Sequence, residues 1–180
     1  MRTQKNKLLQ IENEFNIGMA IDYVSDNERD LDDYIRVIFL LMDFLVNGQY
    51  SEKEHGFVVN MIKKFFLESK PKYLHNPEYL FYIGFIASMS EWYLDLEWGE
   101  VESMLKNATC IEPQNFLYQW GYNSIIDQRV EVNTKMKHSL SKQILEDSLQ
   151  MNSIREKGLL GKYLESIIQN EYEATKAILE

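Results

Sequence analysis

The chain has 180 residues, of which 45 % are hydrophobic and 26 % charged, the composition of a packed globular protein rather than a disordered or fibrous one. Lys and Arg number 19 against 28 Asp and Glu, so the formal net charge is −9. We do not expect a chain this acidic to bind nucleic acid, because affinity for a phosphate backbone depends on lysine and arginine.

Cysteine use and hydropathy predict the compartment. The single cysteine, Cys110, cannot form an internal disulfide, and its helix-end segment predicts a buried structural thiol. The N-terminal segment has no apolar run of signal-peptide length. The longest apolar stretch, 37–46, is shorter than the ~20 residues of a membrane span. We therefore expect a cytoplasmic protein that does not interact with membranes.

The first half of the chain has strong helix signals. Three prolines and eight glycines are too few for the frequent turns of a sandwich or barrel. Apolar residues spaced by three and four from Leu8 to Tyr23 predict a first amphipathic helix. Asp30 is the predicted N-cap of a second helix, Leu31 to Val46, which ends at Asn47-Gly48. This helix is apolar almost all round, as expected of a central buried helix.

The remaining elements are also predicted helices. Ser51 and Glu54 form a capping box before a third helix, which Pro71 is expected to end. Asn76-Pro77 starts an aromatic helix that runs from Tyr79 to about Tyr93. Four more helices are predicted at about 98–109, 115–128, 131–150 and 154–178. The prediction is an all-α fold, a bundle of about 7–8 helices in one domain over residues 1–180.

An internal repeat lies in the middle of the chain. Residues 79–85 (YLFYIGF) and 116–122 (FLYQWGY) align without gaps at a spacing of 37, each after a proline-containing turn. The pattern resembles tetratricopeptide-like repeats, which have a usual length of about 34 residues. Over residues 76–126 this implies stacked antiparallel helical hairpins, with Gly84 and Gly121 allowing close approach. The alternative is a chance match between two aromatic helices in an irregular bundle.

Signatures of catalysis and of metal binding are absent from the sequence. It contains no nucleotide-binding glycine motif, no nucleophile elbow and no zinc-protease motif. The acidic run 26–33 has calcium-loop spacing, but Leu31 stands where the loop requires glycine and Val37 where it requires glutamate. We predict no catalytic residue, no metal and no cofactor. Three histidines lie in separate predicted elements and are interpreted as solvated: His55, His75 and His138.

The negative charge is unevenly distributed. Residues 1–128 hold 20 acidic and 11 basic residues, whereas residues 129–180 hold 8 of each. Two clusters dominate the first part. One lies around the predicted start of the second helix, where Asp32 and Asp33 favour the positive end of the helix dipole. Its members are Asp22, Asp26, Glu28, Asp30, Asp32 and Asp33.

The second cluster alternates acidic residues with aromatic ones, in the sequence EWYLDLEWGEVE. Tryptophan anchors beside carboxylates are typical of a surface that binds a basic protein. The alternative is that the aromatic side chains belong to the core and the carboxylates to a solvated face. Together the two clusters supply the predicted partner-binding residues: Glu91, Trp92, Asp95, Glu97, Trp98, Glu100, Glu102, Asp26, Asp30 and Asp33.

The size, acidity, helical pattern and segment 79–122 together resemble the immunity proteins that bacteria encode beside contact-dependent growth-inhibition and other polymorphic toxins. The resemblance implies a protein without enzymatic activity that binds its cognate toxin domain one to one and blocks the active site or a neighbouring exosite. Many such toxins are basic nucleases, for which an acidic protein replaces the substrate electrostatically. Two other hypotheses are a tetratricopeptide-like adaptor that binds peptides, and an enzyme of unrecognised type.

Overall fold

The computed structural model describes residues 2–26, 29–126 and 130–179. The all-helical prediction is confirmed for these ranges, which form ten α-helices and one 3₁₀ helix, more than the predicted 7–8. The elements are α1 (Arg2–Asn13), α2 (Ile17–Asp26), α3 (Leu31–Asn47), α4 (Glu52–Tyr73), α5 (Pro77–Ser90), the 3₁₀ helix (Glu91–Leu94), α6 (Trp98–Ile111), α7 (Phe116–Ile126), α8 (Val130–Glu146), α9 (Ser148–Arg155) and α10 (Gly158–Leu179).

The predicted first helix, 8–23, is wrong because the chain breaks at Phe15. Phe15 has a φ of 51°, the left-handed conformation, which cannot continue an α-helix. The Asn16 N–H donates to the Ile11 carbonyl at 3.1 Å, as in a helix end closed by a left-handed residue. A separate helix, α2, then begins at Ile17.

Three of the predicted N-caps are confirmed. Asp30 and Ser51 each form a capping box with the residue three positions later. The Asn76 side chain accepts the backbone N–H of Glu78 at 2.9 Å and of Tyr79 at 3.2 Å. These caps satisfy backbone N–H groups that have no partner inside the helix.

Several helix ends differ from the prediction, among them the start of the last helix, which is Gly158 and not residue 154. Pro71 does not end α4, which continues to Tyr73. The proline removes the N–H that would bond the Leu67 carbonyl, and both residues are exposed. The predicted helix 131–150 breaks at Asp147, whose side chain accepts the N–H groups of Leu149 and Gln150 at 2.9 and 3.1 Å. This N-cap starts α9.

Helix α3 is the centre of the bundle, as predicted. It contacts α2, α4, α5 and α10. Most of its residues are buried, and Ile35, Ile38 and Leu41 have no solvent exposure. A helix surrounded on several sides has to be apolar around most of its circumference, which explains why apolar residues dominate the sequence of α3.

The two glycines of the internal repeat lie where helices come close. A Cβ on Gly84 would lie 3.1 Å from Leu105 of α6, and one on Gly121 would lie 2.5 Å from the ring of Phe81 of α5. The first glycine therefore faces the following helix, whereas the second faces a preceding one. The two positions are not equivalent in packing, and tetratricopeptide-like stacking stays a prediction.

A chain of ion pairs lies inside the bundle. Arg36 of α3 binds Glu12 of α1 through its Nε and Nη2 atoms at 2.8 and 2.7 Å, and the two side chains are only 3 % and 2 % exposed. Arg36 also binds Asp32 at 3.3 Å. The buried Lys157 binds Asp32 at 2.7 Å and Glu78 of α5 at 2.5 Å, and so links these two carboxylates. We call these five residues the buried ion network.

Gly158 has no side chain, and the buried ion network occupies the space where one would lie. The glycine has a φ of 60°, and a Cβ there would lie 2.0 Å from a carboxylate oxygen of Glu12. Burial by itself lowers the pKa of Arg36, but the hydrogen bonds and charges of Glu12 and Asp32 together outweigh burial and raise it. Arg36 therefore stays cationic although it is buried.

Replacing the central cation tests the buried ion network. We expect Arg36→Ala to lower the free energy of unfolding by about 3–5 kcal/mol, because it leaves the buried Glu12 carboxylate without its counter-charge. Urea unfolding measures the loss. The matched control is Arg155→Ala, which breaks the exposed pair with Glu165 and leaves the urea midpoint nearly unchanged. Similar shifts in both variants would show that burial does not distinguish the two pairs.

Candidate partner-binding surface

The predicted partner-binding residues of the second cluster lie on the irregular connection between α5 and α6 and on the first two turns of α6. The aromatic helix predicted to reach Tyr93 ends at Ser90 and tightens into the 3₁₀ helix. Asp95 then takes a φ of 51°, and the Leu96 N–H donates to the Glu91 carbonyl at 3.3 Å. The buried side chains of Leu94 and Leu96 hold the connection on the core. We call residues 91–102 the acidic-aromatic segment.

Both tryptophans of the acidic-aromatic segment are on the surface. Trp92 is 58 % exposed and Trp98 is 44 % exposed, whereas Trp120 on α7 is 1 % exposed. The Trp120 indole N–H donates to the carboxylate of Glu171, so it belongs to the interior of the bundle. The interpretation of Trp92 and Trp98 as core residues is therefore wrong, and their indoles are available to a partner.

The carboxylates of the segment divide into paired and unpaired groups. Asp95 binds Lys63 of α4 at 2.7 Å, and Glu100 lies 3.8 Å from Lys70. Glu100 also accepts the N–H of Glu97 at 3.0 Å and so helps to start α6. The other carboxylates of the segment form no ion pair within the described ranges: Glu91, Glu97 and Glu102.

A cleft of about 380 Å³ opens beside the start of α6. Leu80, Leu96 and Met104 contribute apolar walls, and Lys70 and Glu100 contribute charged groups. Because Leu96, Gly99 and Glu100 of the acidic-aromatic segment line this cleft, it gives a partner bound to the segment a place to bury a side chain of its own.

In the first acidic cluster, Asp30 and Asp33 form hydrogen bonds within the fold. Asp30 accepts the N–H of Asp33 at 3.0 Å, and Asp33 accepts the Asp30 N–H at 3.2 Å and the hydroxyl of Tyr23 at 3.0 Å. Burial raises the pKa of Asp33. Asp32 belongs to the buried ion network. The side chain of Asp26 lies outside the described residues. No described hydrogen bond or ion pair joins this cluster to the acidic-aromatic segment.

Comparison with known proteins finds no matching family model, no matching curated protein and no matching solved structure. The function is therefore inferred from the chain's own geometry. Within residues 2–26, 29–126 and 130–179, no helix is both long and apolar enough to cross a membrane. The same ranges contain no group of three His, Cys, Asp or Glu side chains placed to hold a metal ion.

The predicted burial of Cys110 is wrong, since this residue is exposed. The buried side of α6 consists of Val101, Met104, Leu105 and Ala108. Cys110 lies off this stripe, so its thiol points away from the core although it sits in the last turn of the helix.

Sequence reasoning missed the two lysines of α4 that pair with the segment, Lys63 and Lys70. Their spacing of seven places both on one face of the helix. Nothing local indicates that this face lies against residues 95 and 100, because the contact joins parts of the chain about thirty residues apart.

Fluorescence quenching tests the placement of the tryptophans. In the double variant Trp92→Phe with Trp98→Phe, we expect acrylamide to quench much less of the emission, because the remaining Trp120 is 1 % exposed. The reciprocal variant Trp120→Phe serves as the control and keeps the emission accessible to the quencher. Unchanged quenching in the double variant would contradict the surface position of the two indoles.

Proposed function

We propose that this chain is an immunity-type inhibitor that binds a basic toxin domain, a nuclease, one to one and occludes its active site or a neighbouring exosite. The observation that carries the proposal is the pair of exposed tryptophans, Trp92 and Trp98, held on the core beside unpaired carboxylates. Catalysis by this chain plays no part in the inhibition.

The indoles supply the affinity of such a contact. Tryptophan is over-represented among the residues that dominate binding energy, because it buries a large apolar area with few rotatable bonds. Covering the exposed part of each indole contributes on the order of 1–3 kcal/mol. The segment is already fixed by Leu94 and Leu96, so little conformational entropy is lost on binding.

The carboxylates supply steering and complementarity. A nuclease binds phosphates through lysine and arginine. Glu97 and Glu102 form no ion pair with a cation in the described ranges, so they are available to those same side chains. Attraction between opposite charges speeds association and favours a basic partner over a neutral one.

The cleft beside α6 favours a second candidate function, a peptide-binding adaptor. Its apolar walls suit a hydrophobic side chain of a short peptide. Binding of that kind depends on apolar contact and therefore changes little with salt, whereas inhibition of a basic toxin is strongly salt-dependent.

The immunity function is tested by expressing the proteins encoded in the adjacent reading frames alone and together with this chain. We expect one of them to arrest growth when it is expressed alone. We expect this chain to restore growth, and the purified proteins to form a complex at equal stoichiometry. Neighbouring reading frames without toxicity, or a toxin that this chain does not neutralise, would rule out the immunity proposal.

Charge reversal tests the surface. We expect Glu91→Lys with Glu102→Lys to slow association by roughly tenfold or more and to flatten its salt dependence. Glu97 and Glu100 are left unchanged because together they form the capping box that starts α6. The matched control is Glu156→Lys with Glu173→Lys, the same charge change on exposed residues of the C-terminal part. Equal rates for the two double variants would remove the acidic-aromatic segment from the interface.

A further inference from the structure

A row of ring contacts begins at Trp92 and leads away from the acidic-aromatic segment. Ring centroids lie 5.7 Å apart between Trp92 and Tyr93, 6.2 Å between Tyr93 and His55, 5.6 Å between His55 and Tyr50, 5.5 Å between Tyr50 and Phe44, and 6.1 Å between Phe44 and Phe15. We call these six residues the aromatic ladder.

The aromatic ladder lies at the surface. Phe15, Tyr50 and Trp92 are exposed, and the other three rings are half-buried. The row connects the α1–α2 turn, the last turn of α3, the loop before α4, the first turns of α4 and the 3₁₀ helix. Phe44 and Tyr93 pack against the core, so the row forms an edge of the core that stays open to water on one side, as a contiguous apolar patch used for binding does.

Backbone strain marks the Phe15 end of the aromatic ladder. Phe15 is not a glycine, yet it has a positive φ of 51°. Glycine or asparagine usually ends a helix in this conformation, and a bulky side chain is unfavourable there. At Phe15 the strain places an exposed phenyl ring at the α1–α2 turn, which points to a use for that ring at the surface.

The aromatic ladder is bordered by carboxylates that no described cation neutralises. Glu14 accepts a hydrogen bond from the neutral Gln10 at 2.7 Å. Hydrogen bonds from the backbone N–H and hydroxyl of Ser51 lower the pKa of Glu54, which therefore stays ionised. Two further exposed or half-buried carboxylates next to the row form no described ion pair: Glu52 and Glu91.

Two lysines along this surface are engaged with other groups. Lys63 binds Asp95 at 2.7 Å, and Lys162 donates to the Asn13 side chain, next to Glu14, at 3.4 Å. Lys53, between Tyr50 and His55, is exposed. Aromatic faces beside ionised carboxylates bind guanidinium groups well, because the planar cation stacks on the ring and its N–H groups reach the carboxylate.

We propose that the aromatic ladder is a docking surface for an arginine-bearing segment of the basic partner, and this rests on the function proposed above. The guanidinium groups stack on the exposed rings of Tyr50 and Trp92 and pair with Glu14, Glu52 and Glu91. The partner thus covers a longer face than the acidic-aromatic segment, from Trp98 to the α1–α2 turn.

The three histidines allow the surface to be located directly. His55 is a member of the aromatic ladder, His75 lines the cleft beside α6, and His138 stacks on Tyr172 of α10. When nona-arginine is added to the full chain at low salt, we expect the NMR signals of the His55 ring to shift and those of His138 to stay in place. A shift of His75 alone assigns the peptide to the cleft and overturns the proposal, as does a shift of none.

Two comparisons separate stacking from bulk charge attraction. We expect nona-arginine to bind more tightly than nona-lysine, which has the same charge but cannot stack in the same way. Phe15→Gly is expected to weaken nona-arginine binding by roughly threefold without lowering the melting temperature, because glycine relieves the positive φ. Equal affinities for the two peptides, or an unchanged affinity in Phe15→Gly, would overturn the docking surface.

Matched variants keep the two proposals distinguishable. Trp98→Ala lies outside the aromatic ladder, so we expect it to weaken toxin binding and to leave nona-arginine binding unchanged. If Trp98→Ala weakens toxin binding but Phe15→Gly does not, the immunity proposal stands and the aromatic ladder is excluded from the interface. If nona-arginine binds at His55 but no toxin is neutralised, the aromatic ladder stands and the immunity function fails. Leu149→Ala, an exposed apolar residue on α9, controls for loss of surface apolar area.

Discussion

The contact between Arg36 and Glu12 is the constraint on which the arrangement of the helices depends. It joins residues 24 positions apart, and Lys157 extends it to a residue 125 positions away, Asp32. A buried carboxylate without a counter-charge is very unfavourable, so α1 and the start of α10 can lie on α3 only where these charges meet. Gly158 makes this arrangement possible because it has no Cβ where the Glu12 carboxylate lies.

This internal pairing also decides where negative charge is available to a partner. Asp32 is neutralised inside the bundle, and Asp30 and Asp33 cap α3. The net charge of −9 therefore includes acidic residues with structural roles. The acidic-aromatic segment and the aromatic ladder, in contrast, carry carboxylates that no described cation neutralises. These two surfaces meet at Trp92.

Rigid presentation links the fold to the proposed function. A regular helix through residues 91–97 would turn its side chains by a constant angle, so some of the aromatic residues would enter the core. The 3₁₀ helix and the left-handed Asp95 interrupt this rotation. As a result Leu94 and Leu96 are buried while Trp92 and Trp98 are exposed, and the surface does not have to be ordered when a partner binds.

The sequence by itself determined the all-helical class, the central position of α3 and the caps at Asp30, Ser51 and Asn76, because helical periodicity and capping act within a few residues. Only the tertiary structure decided the break at Phe15, the exposure of the two tryptophans, the pairing of α4 with the acidic-aromatic segment and the aromatic ladder. These features depend on which distant elements come into contact, since a local pattern describes the faces of a helix but not the neighbour that covers each face.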